Sequence, residues 1–262
     1  MSVHGRARRA FTLVELLVVC GVVALLLALL IPSLGAARGM ALRTKCASNL
    51  RQLAHAFHHY ASDNKGLAMP AAYTAQATPV YWWGAETGAG VDRARGFMAR
   101  YLNADLREGG VFECPRQPWG SYSPQGTSGA ITSTYGYNGY FLSPAHTPGW
   151  SAQIRQRPWQ NLDRMRESSR VFAFADSAIV LGATLKNSVL LDPPWLYSNG
   201  TWTQNFSPTT SFRHAGATVA AYADGHADAR GPGDGRLASA EHAIGSVGAN
   251  NDPRYVPDWR DW

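Results

Sequence analysis

The stretch FTLVELLVVCGVVALLLALLI, from Phe11 to Ile31, decides how this chain is read. It carries one charge, Glu15, in an otherwise apolar run. As a helix it would reach about 31 Å, close to the hydrocarbon thickness of a bilayer. A basic flank, MSVHGRARRA, precedes it and holds Arg6, Arg8 and Arg9. A cleavable secretory signal would have a shorter apolar part and a small-residue cleavage site, which Leu34-Gly35-Ala36-Ala37 supplies only loosely. A twin-arginine signal, suggested by Arg8-Arg9-Ala10-Phe11, sits badly with a charge inside the apolar run. A plain membrane anchor leaves Glu15 unexplained, because a carboxylate in lipid is costly and needs a partner.

Working outward, Pro32 is placed to kink or interrupt the helix. Beyond it the pattern predicts a long amphipathic helix to about Ala61. Leu42, Cys46, Leu50, Leu53, Phe57 and Tyr60 recur every three or four residues as one apolar stripe. Asp63-Asn64-Lys65-Gly66 then ends it with turn residues. The remainder predicts a head domain of short strands and loops. Val171 to Ser177 and Thr218 to Tyr222 read as buried strands, and Asp224-Gly225 as a tight type I′ hairpin turn. The predicted fold class is α+β, with an antiparallel sheet packed on the helix stripe.

Composition narrows the function. The chain has 262 residues, of which 45% are hydrophobic and 16% charged, below the roughly 25% charged residues usual in soluble domains. Gly, Pro, Trp and Tyr make up the difference, as in many exported proteins. The net charge of +6 is spread out, with no basic run longer than Arg8-Arg9, so no nucleic-acid partner is predicted. The glycines form no phosphate-binding arrangement.

The run from Ala10 through Phe11-Thr12-Leu13-Val14-Glu15 to Val19 resembles the prepilin-type cleavage and methylation motif of type IV pilins and type II secretion pseudopilins. That family has Gly, then Phe-Thr-Leu-x-Glu, then an apolar helix; here Ala10 replaces the Gly. The resemblance implies cleavage between Ala10 and Phe11 by prepilin peptidase and methylation of the new Phe11 amine. It also implies that Glu15 neutralises that amine on a neighbouring subunit during assembly. The implied organisation is a leader over residues 1–10, a transmembrane helix over 11–31, an amphipathic continuation over 32–62 and a head over 63–262. The N-terminus would face the cytoplasm and the head would lie outside the inner membrane. The implied partners are prepilin peptidase, other pilin or pseudopilin subunits, an inner-membrane assembly platform and the lipid bilayer. The implied function is structural and not enzymatic. The rival reading is a membrane-tethered enzyme or glycan-binding module that uses the same leader.

Phe212-Arg213-His214, nine further residues and then Asp224-Gly225 is similar to the H-X9-DG element that accompanies such leaders in large paralogous sets. The segments Cys46 to Leu53, Asp63 to Gly66 and Phe112-Glu113-Cys114-Pro115 look like those proteins as well. With the head outside the cytoplasm, Cys46 and Cys114 either form a disulfide or remain two buried thiols. Cys20 belongs to the apolar helix and stays apart.

Other constellations are weighed against plainer roles. His55 and His59 lie one helical turn apart, a spacing that can hold a metal, but a helix face without that role is favoured. His214, His226, Asp224 and Asp228 surround the predicted hairpin, where turn and packing roles are favoured over a metal or hydrolytic site. Asp176-Ser177 reads as a capped strand end, not a nucleophile, because no G-x-S-x-G elbow surrounds it. Asn250, Asn251, Asp252 and Asp258 form an oxygen-rich tail that admits calcium without an EF-hand pattern. No other cofactor and no metal ligands are predicted. The tryptophans Trp82, Trp83, Trp150, Trp159, Trp195, Trp202, Trp259 and Trp262 are of a kind that can bind glycans or partner subunits, but a buried core role is the default for most of them.

Overall fold

The structure is a computed structural model and describes residues 12–73, 80–87, 90–102, 110–117, 123–124, 132–143, 159–198 and 201–256. The chain divides into two units, Met1–Ala41 and Leu42–Trp262.

Helix α1 runs from Leu13 to Asp63. It passes through Pro32, which has no amide hydrogen to offer the preceding turn; next to it, the Ser33 hydroxyl donates to the Leu30 carbonyl at 2.8 Å. In the first unit its large apolar side chains, from Leu13 to Leu34, are exposed on every face. A helix apolar all round needs lipid or other helices about it, and this one is long and apolar enough to cross a membrane. In the second unit the predicted stripe is found. Cys46, Leu50, Leu53 and Phe57 are fully buried. The helix stops where the turn residues fall: the Asn64 and Gly66 amides both donate to the Ala61 carbonyl.

The stripe packs on an antiparallel sheet of four strands. These are β1 (Tyr135–Tyr137), β2 (Phe172–Asp176), β3 (Thr218–Tyr222) and β4 (Ala227–Arg230), in the spatial order β4-β3-β2-β1. Phe57 meets Tyr137 and Phe174 edge-on, with ring centroids 5.6 and 5.8 Å away. Both faces of this sheet are covered. Opposite the helix, Phe172, Ala175, Ala220 and Tyr222 pack with Phe141, Phe212 and Tyr255. That double burial explains why β2 and β3 read as unbroken apolar runs.

The pairing of β2 with β3 contains a bulge. Ala221 lies opposite Phe174, while the next residue, Tyr222, lies opposite Phe172. The extra residue, Ala173, shifts the alternation of β2 by one. Val171, Ala173 and Phe174 therefore share the helix-side core, and Phe172 and Ala175 share the other. The same shift places Asp176 on the helix side.

Smaller elements frame this centre. A four-stranded antiparallel sheet spans Ala72–Tyr73, Val80–Tyr81, Gly84–Thr87 and Gly90–Asp92. Trp195–Ser198 and Thr201–Gln204 form a hairpin. One short pair, Ser123–Pro124 with Lys186–Asn187, is parallel.

The two tight turns near the C-terminus depart from the sequence reading. Tyr222 and His226 bracket a three-residue loop, with the Gly225 amide donating to the Tyr222 carbonyl and the Tyr222 amide to the His226 carbonyl. Only Gly225 among the loop residues has positive φ, at 97°. This is a type I turn closed by a left-handed glycine and not the type I′ turn predicted at Asp224-Gly225. The I′ geometry lies instead at Ala215-Gly216, with φ of 54° and 82°, between His214 and Ala217, whose backbones bond to each other in both directions.

Candidate functional site

Ala10 and Phe11, the predicted processing residues, lie outside the described residues, as do Trp150, Trp259, Trp262 and Asp258. Glu15 sits in the first turn of α1. Its carboxylate accepts the Thr12 amide at 2.9 Å, and the Glu15 amide donates to Thr12 Oγ1 at 3.2 Å. This is a reciprocal capping box, which satisfies two amides that the helix start would otherwise leave open. The sequence reading did not assign it, although the Thr-x-x-Glu spacing is its signature.

The fold brings a second group of residues together inside the head. Cys46 of α1, Cys114 of the 110–117 loop, Asp176 at the end of β2 and His214 before the I′ turn are all buried. One ligand atom from each lies within 4.8 Å of all the others. His214 Nε2 is 3.2 Å from Cys114 Sγ and 3.3 Å from Asp176 Oδ2. Cys46 Sγ is 3.6 Å from Asp176 Oδ1.

Surrounding groups hold each member in place. Asn49, one turn past Cys46, donates from Nδ2 to the carbonyls of Gly110 at 3.3 Å and Glu113 at 2.9 Å, which seats the Cys114 loop on the helix. The Cys114 amide donates to Thr134 Oγ1 at 2.6 Å. The Val219 amide donates to Asp176 Oδ2 at 2.9 Å, and Arg213 Nε stands 3.9 Å from Asp176 Oδ1. The Tyr135 hydroxyl is 3.4 Å from Cys46 Sγ and 3.1 Å from the Glu113 carbonyl oxygen.

Burial and charge compete here. Burial opposes ionisation of Asp176, yet the His214 hydrogen bond and the Arg213 charge hold its carboxyl below the usual range. Burial also opposes a charge on His214, but its contacts with Asp176 and Cys114 raise it to about 9. Burial pushes the Cys46 thiol well up. At Cys114 the same push is outweighed by hydrogen bonds with Cys46 and His214 and by the charge of Arg213, leaving it at about 7.

The sequence reading offered a Cys46–Cys114 disulfide or two buried thiols; both cysteines are free here, side by side with Asp176 and His214. It named no metal ligands, and it read Asp176 as a strand end. His214 does not meet Asp224 or His226. Those two are exposed and pair with each other at 2.6 Å, the His226 ring stacking on Tyr222. Their hairpin contributes no residue to the buried cluster. His55 and His59 are exposed on the helix. Ser177 Oγ is buried and donates to the Ser188 carbonyl. Asn251 spends both ends of its amide on the Trp195 backbone. Trp82 and Trp83 are buried, whereas Trp159 and Trp202 are partly exposed. Trp195 and Trp202 line a groove of about 270 Å³ with Asn250, Asn251, Asp252 and Val256.

A thiol, an imidazole and a carboxylate could suggest a catalytic relay. Such a relay uses both ring nitrogens, thiol on one and carboxylate on the other. Here both partners face Nε2, and Cys114 is wholly buried. The geometry is convergence on a point and not a chain of proton transfers.

At the other end of the chain, residues 5–31 match the prokaryotic N-terminal methylation motif. The chain carries a prepilin-type leader. Its long N-terminal helix and antiparallel sheets make a pilin-like α+β fold, and the apolar helix fits a membrane anchor. This leader match ends at Ile31 and does not reach the His214–Gly225 element. No curated protein and no solved structure matches the prepilin-like chain.

Proposed function

We propose that this prepilin-like chain is the precursor of a structural subunit. Prepilin peptidase cleaves it between Ala10 and Phe11 and methylates the Phe11 amine. The processed chain stands in the cytoplasmic membrane with its head outside and assembles into a type IV pilus or type II secretion pseudopilus. Helix packing in the fibre core is the mechanism, and an inner-membrane platform and other pilins are the partners. The observation that carries this reading is the leader motif running directly into a helix apolar on every face. Chains with such a leader are structural substrates rather than enzymes, which favours a non-catalytic role. The test is mass spectrometry of the membrane-extracted protein from a host with prepilin peptidase. N-methyl-Phe11 at the terminus is the expected result, and an intact Met1 terminus would overturn it. Pull-down with assembly components then separates fibre subunit from solitary anchor.

The groove between Trp195 and Trp202 favours a second reading, a tethered glycan-binding head. In that case Trp202→Ala would abolish retention on glycan resin while leaving fibre assembly intact.

A further inference from the structure

We propose that Cys46, Cys114, Asp176 and His214 bind one zinc ion in a closed, tetrahedral, structural site. The inference goes beyond the reading of the chain as a fibre subunit and does not depend on it.

The donor set comes first. Two thiols, one imidazole and one carboxylate are the ligand types that zinc takes in proteins. Calcium and magnesium require oxygen donors throughout, which two sulfurs rule out. Iron–sulfur clusters draw mainly on four cysteines, and only two are present.

The spacing comes next. Zinc bonds of about 2.3 Å to sulfur and about 2.0 Å to nitrogen and oxygen give tetrahedral edges of roughly 3.3 Å between N and O and roughly 3.5 Å between S and either N or O. Taken on one carboxylate oxygen, Asp176 Oδ2, the observed edges are 3.3 Å to His214 Nε2 and 3.8 Å to Cys46 Sγ, with 3.2 Å from Cys114 Sγ to His214 Nε2 and all four ligand atoms within 4.8 Å of one another. All four atoms therefore fit around a single central ion with small adjustments. The convergence of thiol and carboxylate on the same ring nitrogen is what a shared ion requires and what a relay does not.

The charge balance agrees. Two thiolates and a carboxylate carry three negative charges. Zinc offsets two of them, and Arg213, 3.9 Å from Asp176 Oδ1, offsets the third. A buried charged group is tolerable only when matched in this way. The outer contacts are those that orient metal ligands: the Val219 amide on Asp176, the Tyr135 hydroxyl beside Cys46 and the Asn49 amide behind the Cys114 loop.

The four ligands come from four different parts of the head and leave no position open. The ion would therefore tie helix α1 to the sheet and to two loops, and would not act on a substrate.

The test uses the full-length chain, purified in detergent without a metal-affinity tag and under reducing conditions. Elemental analysis should find stoichiometric zinc, lost in Cys114→Ser and in His214→Ala and retained in His226→Ala, a histidine outside the cluster. If the two ligand variants fail to accumulate, cobalt(II) exchanged into the wild-type chain decides the matter. Thiolate-to-cobalt charge transfer with the visible bands of a tetrahedral ion is then expected. Metal-free protein with a Cys46–Cys114 disulfide, metal-free protein with two free thiols, stoichiometric copper in place of zinc, or a cobalt spectrum without thiolate bands would each overturn the assignment.

Discussion

Thr12 and Glu15 cap each other: the Thr12 amide donates to the Glu15 carboxylate at 2.9 Å, and the Glu15 amide donates to Thr12 Oγ1 at 3.2 Å. Glu15 therefore has a local partner besides the neighbouring amine that the leader motif implies. Two variants separate these roles. Glu15→Gln keeps an acceptor for the cap and removes the charge, while Thr12→Ala keeps the charge and removes the hydroxyl half of the cap. If charge neutralisation governs assembly, Glu15→Gln lowers fibre yield and Thr12→Ala does not. If the cap governs, the order reverses, and the helix start loses about 1 kcal/mol in Thr12→Ala. Sheared-fibre yield, compared at equal membrane content, reads the difference.

The I′ turn at Ala215-Gly216 holds an alanine at φ 54°, where its Cβ crowds the following carbonyl. Asparagine tolerates that conformation better. Ala215→Asn should raise the stability of the head by roughly 1 kcal/mol. Thermal denaturation of the full chain measures this, and a lower melting temperature would show that the turn is not strained.

Gly225 closes the β3–β4 hairpin at φ 97°. An added Cβ there would have room, because its nearest atom is His58 Nε2 at 3.5 Å. The cost of Gly225→Val is therefore conformational, about 1–3 kcal/mol. Gly225→Asn should lose less, since asparagine enters the left-handed region more readily. Equal losses in the two variants would point to crowding instead.

Asp192 provides a pH dependence. Its half-buried carboxyl is pushed up to about 6 by burial, against about 3.9 in an unfolded chain. The folded state binds the proton more tightly, so this group's contribution is full below about pH 3.9 and is lost as the pH rises through about 6. Asp192→Asn should accordingly be more stable than the parent near neutral pH and lose that advantage at about pH 4. Denaturation at the two pH values checks it, and an equal gap at both would exclude burial of the charge as its cause.

The helix, its stripe and the two buried strands were legible in the sequence because each is a local pattern. The spacing from Leu42 to Tyr60 and the apolar runs Val171–Ala175 and Thr218–Tyr222 needed no tertiary knowledge. The turn chemistry was half legible: Asp224-Gly225 marks a hairpin, but nothing local distinguishes a two-residue loop from a three-residue one. The cluster around His214 was not legible. Cys46, Cys114, Asp176 and His214 sit on four separate segments, and their meeting depends on strand register. Counted from Val171 at a period of two, Asp176 would face away from the helix; the bulge at Ala173 turns it inward. No window of sequence announces that bulge.

The stripe of α1 also sets an order of events during synthesis. The helix emerges first, yet the strands that cover Cys46 to Phe57 run from Tyr135 to Tyr222 and arrive much later. Until they do, the stripe is only partly covered, by nearer core residues such as Met69, Trp82 and Met98. Contacts of such long sequence separation close slowly. Shortening the chain between Tyr60 and Tyr135 would bring the covering strands sooner and favour folding of the head over its aggregation.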